Sequence, residues 1–510
     1  MFNEEQIKNI KEKAETLLID RFSCGKDRDA ELLATQILKI DPNNAKIIQL
    51  LGLLKHKQQD YNAALDYFKK STLIEPNNFE NYNNIGLCLS GLGKYNEAIE
   101  VLEKAKTLRP DLDYIYSNLG LQYRSNKEID KAIACFEDAL KIKESAESWS
   151  MLGGCYGEIR DLSKAEICFI AAIKLNEDSA AAHVDLASIY QFRGQWKEAW
   201  SEYEWRFKLY EQSKFWDFVF DPDKRLKCGQ NINNKRILIH SEQGTGDMIH
   251  FFRYVKFMKQ KGAYVILHCW ESLKPLFESE VDEIYTKEPA EIPGYKYRDA
   301  DFDMPIHDYH CSIISLPYIL DMNFIPNDPY LKSTKKFNTK DYKDNFKIGI
   351  VWAGNPQHPN DKYRSCKLKD FKKIHDIPHV KLFNLQKDMR PRMYRFEDEP
   401  VDLTDGADSF KIVDASEFQK DYDYTASIIE AMDLIITVDT SILHLAGSLG
   451  KPTFALISWN GDWRWKLDGT KTEWYPSVKL FRQKNLNDWD YVFEEIYEEI
   501  MRSHENSLQN

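Results

Sequence analysis

The stretch DLIITVDTSILHLAGSLGKP, residues 433–452, decides the fold of the C-terminal half of this chain. Leu434, Ile435, Ile436 and Val438 form a short apolar run, rich in β-branched residues, of the kind that makes a parallel strand covered on both faces. Asp439, Thr440 and Ser441 follow at once, and one of them is expected to cap a helix that runs through Leu449. The free N–H groups and positive dipole end of such a helix point where a phosphate would sit. Gly450 and Pro452 stop the helix. Read alone, the same residues describe an ordinary capped helix in an α/β sheet.

The strand-turn-helix pattern recurs on the N-terminal side. Arg236 to His240 reads as a strand, Glu242 to Asp247 (EQGTGD) as a glycine-containing turn, and Met248 to Lys261 as a helix with apolar positions at 251, 252, 255 and 258. Tyr264 to His268 is a second strand; weaker alternations at Glu283 to Tyr285 and Phe302 to Pro305 precede a helix near Ser315 to Leu320. A lysine-rich stretch around Lys335 to Asn345 marks a boundary. Beyond it, strands at Ile348 to Trp352, Val380 to Leu385, Leu434 to Val438 and Thr453 to Ile457 alternate with helices near Leu368 to Ile374, Thr425 to Met432 and Ile442 to Leu449. The expectation is two Rossmann-like α/β domains, 235–338 and 339–510, whose parallel sheets face a cleft. Residues 213–234, aromatic, charged and irregular, read as a packed linker.

Residues 1–212 follow a different rule. Pro42, Pro76 and Pro110 are spaced by 34, and Gly52, Gly86, Gly120 and Gly153 by 34, 34 and 33. Ala64, Ala98, Ala132 and Ala165 keep the beat, each followed four residues later by Phe68, Leu102, Phe136 or Phe169, where a helix brings the same face round again. Trp149, Leu152, Gly153, Tyr156, Ala165, Phe169 and Ala172 occupy nearly a whole signature in one unit. This pattern resembles the tetratricopeptide repeat (TPR) family. The resemblance implies an α-solenoid, with four clear units from about Ala45 to Asp178 and atypical ones on either side. Such a superhelix offers a concave surface to a protein or peptide, and Asn81, Asn83, Asn84 and Asn118 lie on or near helices that would line it or be solvated on it.

Composition narrows the classes. The 510 residues suffice for about three domains, and 43% hydrophobic with 29% charged residues is a globular balance. A net charge of -12 argues against a nucleic-acid partner, since neutralising phosphates needs a basic face. Nine cysteines without a CxxC pair read as reduced core thiols. The N-terminal MFNEEQIKNIKEKAE lacks the apolar core of a secretory signal, and no apolar run approaches the length of a transmembrane span, so a cytoplasmic location is expected.

Gly246-Asp-Met-Ile-His250 after the first strand, and Asp439-Thr-Ser-x-x-His-Leu-Ala446 with Gly450 and Pro452 after a later one, resemble the paired motifs of GT-B glycosyltransferases of the heptosyltransferase-like kind. With HSEQGTGDMIHFFRY, GIVWAGNPQH, NDKYRS, LQKD, DWRW and WYPSVKLFRQ, the chain is similar nearly throughout to bacterial proteins that join TPR repeats to such a unit, including protein O-glycosyltransferases acting on flagellin. The resemblance implies an inverting, metal-independent transfer from a nucleotide-sugar to an acceptor hydroxyl, a protein serine or threonine docked on the repeats. Two other readings stay open: a heptosyltransferase-like enzyme acting on a saccharide-lipid, and a TPR scaffold that has lost catalysis.

The resemblance puts the catalytic base at Asp247, a residue equally suited to capping a helix from Met248. Glu242 is the reserve base, or it orients the turn. Diphosphate binding falls to the backbone around Thr440, Ser441 and Ile442 with the Thr440 and Ser441 hydroxyls. His444 either touches the donor or is a satisfied buried histidine, and Asp439 either holds a donor hydroxyl or fixes the turn. Lys362 and Arg364 either neutralise leaving-group charge or are solvated. Gly244 and Gly246 permit close backbone approach, but GxG without the remaining dinucleotide fingerprint is no case for NAD. Trp463, Arg464 and Trp465 wall the donor pocket or pack the core. Asp301-Phe-Asp303, Asp421-Tyr-Asp423 and Asp488-Trp-Asp490 mimic a metal-binding DxD, yet three such hits are unsurprising among 81 acidic residues, and no metal or other cofactor is expected.

Overall fold

In a computed structural model of the protein, the described residues are 16–213, 221–286, 304–358, 360–387 and 410–508. The chain divides into two compact units, 1–189 and 190–510. In the first, each sequence period is a helix pair: Ala45–Lys57 with Tyr61–Ile74, Phe79–Gly91 with Tyr95–Leu108, Asp113–Ser125 with Ile129–Ile142, and Ala146–Glu158 with Leu162–Leu175. Gly52 is small because a Cβ there would stand 2.7 Å from the Phe68 ring, and Gly120 and Gly153 meet Phe136 and Phe169 in the same way. Asn44, Asn78 and Ser145 cap first helices, and Asp60 and Asp161 cap second helices, through side-chain acceptance of backbone N–H.

Of the asparagines expected on the concave face, Asn81 is fully buried and donates to Ser71 Oγ at 2.9 Å, so it belongs to the interior. Asn83 is also buried and accepts from Asn118 at 2.8 Å. Asn84 and Asn118 are half-buried.

The second unit holds two all-parallel sheets. The first has the order β3-β2-β1-β4, from β1 (Arg236–His240), β2 (Tyr264–His268), β3 (Glu283–Tyr285) and β4 (Tyr309–Ser312). The second has the order β10-β9-β8-β5-β6-β7, from β5 (Phe346–Val351), β6 (Val380–Asn384), β7 (Val413–Asp414), β8 (Leu434–Val438), β9 (Thr453–Ile457) and β10 (Val478–Arg482). Of the weak alternation expected at 302–305, residues 302 and 303 lie outside the described residues; the fourth strand is instead β4. The DxD at 301–303 likewise lies outside them. Strand order reverses between β1 and β4 and between β5 and β8, and ligands of open parallel sheets bind beyond the strand ends at such points.

One apolar core runs through both sheets, from Ile237, Val265 and Phe251 to Ile435, Leu443 and Trp474. A second core, on the other side of the larger sheet, includes Phe371, Phe481, Phe493 and Ile496, the last two from a C-terminal helix, Trp489–Leu508. The atypical unit expected from Ala180 to about Tyr210 is helical, with helices Ala180–Arg193, Trp196–Tyr203 and Arg206–Ser213, and its residues from Tyr190 on belong to the second unit. Trp196 and Trp200 stack 5.6 Å apart, and Trp200 lies edge-on to Phe251 and Trp474. Of the segment expected as a linker, residues 214–220 lie outside the described residues; beyond them Leu226 N donates to His310 O at 2.8 Å, beside the smaller sheet.

Candidate functional site

The loops after β1 and β8 meet. The helix after β1 is Thr245–Phe251, beginning three residues earlier than expected, so Asp247 stands in its first turn rather than capping it from outside. Asp247 Oδ2 accepts from Gly244 N at 3.1 Å. The helix after β8 is Ser441–Ser448, with Thr440 in extended conformation at its cap and no side-chain capping bond, which leaves backbone donors at its start. A Cβ on Gly246 would stand 3.1 Å from His444 Cδ2 and 3.4 Å from Ser441 Cα, so glycine lets the two helix starts close on each other.

Around this junction lies a cavity of about 900 Å³ lined from both sheets, by Gly244 to Asp247 on one side and by Ala353, Arg364, Gln386, Asp439 to Ile442, His444 and Arg464 on the other. Tyr422 fastens its wall, with its hydroxyl 3.1 Å from both Thr245 Oγ1 and Ser441 Oγ.

Arg464 joins the acids. Its Nη2 donates to Asp247 Oδ1 at 2.6 Å and its Nη1 to Asp462 Oδ1 at 3.0 Å. Arg364 donates from Nη1 to the Asp439 carbonyl at 2.9 Å and from Nε to Asp361 Oδ1 at 3.0 Å. Gly354 is pinned beneath this pair, since a Cβ would meet Asp361 Oδ1 at 2.3 Å. Burial pushes the Asp439 carboxyl up to about 6, helped by the charge of Asp462 and opposed by Arg364 and Arg464. Burial also raises Asp247, against the pull of Arg464. Among the described lining residues, Asp247, Asp421, Asp439 and Asp462 face Arg364, Lys387 and Arg464, so an incoming anion is favoured when one carboxyl carries a proton.

His444 and His250 are both buried and both meet one hydroxyl: Tyr475 Oη lies 3.0 Å from His444 Nδ1 and 2.9 Å from His250 Nδ1. Burial holds both imidazoles well below their usual range, as do nearby guanidiniums, so they are neutral links rather than cations. Trp465 stacks on His444 with ring centroids 5.6 Å apart, while Trp463 packs against Trp196, Trp200 and Trp474.

Of the residues singled out by sequence, Gly244, Gly246, Asp247, Arg364, Asp439, Thr440, Ser441 and His444 all line the cavity. Two do not. Glu242 is 3% exposed and clamped by Arg206, whose Nε and Nη2 donate to its two oxygens at 2.8 and 2.9 Å. Burial acts to raise that carboxyl, but Arg206 holds it below the usual carboxylate range, which removes Glu242 as a reserve base. Lys362 is exposed, away from the cavity wall, its ammonium 5.3 Å from the Tyr363 ring. Tyr422 and Asp462 were not singled out, and Arg464 only as a possible wall. The segment DWRW carried the signal for the last two. Among the described residues no cluster of histidine, cysteine and acidic side chains is fit to hold a metal ion, and no helix is long and apolar enough to cross a membrane. All nine cysteines are free thiols, with Cys24 and Cys228 exposed.

The helix pairs of the first unit are tetratricopeptide repeats. Residues 77–145 and 146–179 match families described as tetratricopeptide repeat, and residues 23–105 match the family described as anaphase-promoting complex, cyclosome, subunit 3. The chain is thus a TPR protein suited to protein–protein interaction, carrying in addition a unit with two parallel sheets and helices.

Protein FlbA of Caulobacter vibrioides is a relative, 24% identical over 333 residues, a match covering 62% of this chain and 54% of FlbA. The chain therefore spans about half the length of that relative, and the match is longer than the 189-residue first unit. Among solved structures, a thermophilic TPR protein of Thermus thermophilus is similar at 22% identity and a TM-score of 0.31, covering 35% of this chain and 98% of that one. PilF of Pseudomonas aeruginosa is similar at 18% identity and a TM-score of 0.36, covering 41% and 93%.

Proposed function

We propose that the second unit is a glycosyltransferase that takes a sugar from a nucleotide-sugar and gives it to a hydroxyl of a protein recruited by the repeats. What supports this reading is one observation: the Gly246 turn and the Ser441 helix start, from the ends of two different parallel sheets, open onto one cavity. In the proposed reaction the diphosphate rests on the N–H groups at Ser441 and Ile442 and beside Arg364 and Arg464. The acceptor oxygen bonds to the anomeric carbon, the bond from that carbon to the diphosphate oxygen breaks, and the hydroxyl proton passes to Asp247. The nucleoside diphosphate leaves with the bonding electrons. No metal enters this scheme; helix dipole and guanidiniums carry the leaving charge.

A binding-only role is the second reading, and one observation favours it. Both oxygens of Asp247 already accept N–H donors, from Gly244 and Arg464, which weakens a carboxylate as a base. Intact-mass spectrometry of cellular proteins with and without the chain separates the two. A sugar-sized mass on a Ser- or Thr-bearing protein that is lost with Asp247→Asn supports transfer; unchanged masses favour the binding module.

A further inference from the structure

We propose that Arg464 is a positioning residue that couples the two halves of the site: an anion bound in the cavity draws on the guanidinium shared by Asp247 and Asp462, and so turns Asp247 from an ion-pair partner into a proton acceptor. This inference rests on the nucleotide-sugar reading above. Arg464 is committed on two sides, at 2.6 Å to Asp247 and 3.0 Å to Asp462, and it is 8% exposed. Its Nε, also buried, has no hydrogen-bond partner among the described residues, so the guanidinium is not saturated. Arg464 comes from the turn after β9, whereas Asp247 comes from the helix after β1; the pair spans the junction of the two sheets.

The electrostatics run in one direction. Asp247 faces Arg464 and Asp462 from the larger sheet and Glu242 from its own loop, with Asp439, Arg364 and His444 on the neighbouring wall. Glu242 is already neutralised by Arg206, and His444 is uncharged. The Arg464 charge is therefore the main force keeping Asp247 ionised, against the burial that raises it. A phosphate oxygen on the same guanidinium weakens that hold, and Asp247 gains affinity for a proton. The site thereby holds its base in reserve until the donor is in place, and water meets no free carboxylate beforehand.

The test is calorimetric titration of the full chain with UDP-glucose, GDP-mannose and ADP-ribose between pH 5 and pH 7, in paired buffers of different ionisation enthalpy. These ligands are diphosphate diesters whose own charge does not change over that range. The expected result is net proton uptake on binding, of which roughly half or more disappears in Asp247→Asn, whose affinity is kept at pH 5 and raised at pH 7. Arg464→Lys should retain binding with altered uptake, and Arg464→Gln should weaken binding on the order of tenfold or more. Uptake unchanged in Asp247→Asn, with binding intact, overturns the coupling and leaves the nucleotide-sugar reading standing. Failure of every ligand to bind the folded wild-type chain, checked by circular dichroism, removes that reading and the coupling with it.

Discussion

Asp439 and Glu242, two acids at the ends of neighbouring turns, have opposite fates that set two predictions. Asp439 is raised to about 6, so the folded chain prefers it protonated; its contribution to stability falls as pH rises from the ordinary carboxylate value through about 6. A nucleotide-sugar, whose charge is constant over this range, should bind severalfold more tightly at pH 5 than at pH 7, and Asp439→Asn should flatten that dependence in a fluorescence or calorimetric titration. Glu242 is held low by Arg206, so its contribution is present above the ordinary value and lost as pH falls through the depressed one. Glu242→Leu should cost about 3–5 kcal/mol in urea unfolding, the penalty for stranding a buried charge, part of which Glu204 can offset through its own contact with Arg206 at 2.8 Å. The strand-turn-helix pattern let the sequence place Asp247, Asp439 and Ser441 in turns, and these turns line one cavity. Residue types and spacing could not show that Arg206, 36 positions before Glu242, claims it, nor that Tyr422 reaches Thr245 across 177 positions.

At the scale of elements, the repeats contain a feature that composition conceals. The residue leaving each first helix is left-handed: Gln59, Gly93, Lys127, Arg160 and Gly194 have φ between 62° and 73°. Glycine occupies two of these positions; the others bear a side chain in a conformation that costs roughly 1 kcal/mol. Gln59→Gly and Lys127→Gly should each stabilise the folded chain by about 0.5–1 kcal/mol, read as a higher urea midpoint at unchanged slope. Gly447 is the opposite case, because a Cβ there would meet the Tyr475 ring at 2.4 Å. Gly447→Ala should displace Tyr475 from His250 and His444 and cost about 1–3 kcal/mol, with loss of ligand binding. The strands with strong apolar runs, β1, β2, β5, β6, β8 and β9, were readable to within two residues. β4 was missed because YHCS lacks an apolar run, β7 because two residues carry no period, and β10 because Val478-Lys-Leu-Phe-Arg482 alternates too briefly.

At the scale of the whole molecule, the two sheets of the second unit are not lobes on a free hinge. They share one core, and polar links cross between them: His250 and His444 through the buried Tyr475, Thr245 and Ser441 through the part-buried Tyr422, and Arg253 to the Trp474 carbonyl at 2.9 Å. Opening the cleft would exchange these hydrogen bonds for water, at roughly 0.5–1.5 kcal/mol for each, and expose the shared apolar core. A spectroscopic distance between labels placed on the two sheets of the second unit is expected to stay unchanged when a nucleotide ligand saturates the chain; a marked shortening would mean that the links break and reform.

The cleft itself could be anticipated from two βα grammars in succession. Its fixed closure could not, because the closing contacts join residues hundreds of positions apart. The most direct measurement of the central claim is calorimetric titration of the intact chain with UDP, GDP, ADP and CMP. One of these should bind in the micromolar to millimolar range and lose that binding in Ser441→Asp, which sets a like charge at the diphosphate seat. Equal binding in the variant, or none to the folded wild-type chain, would contradict it.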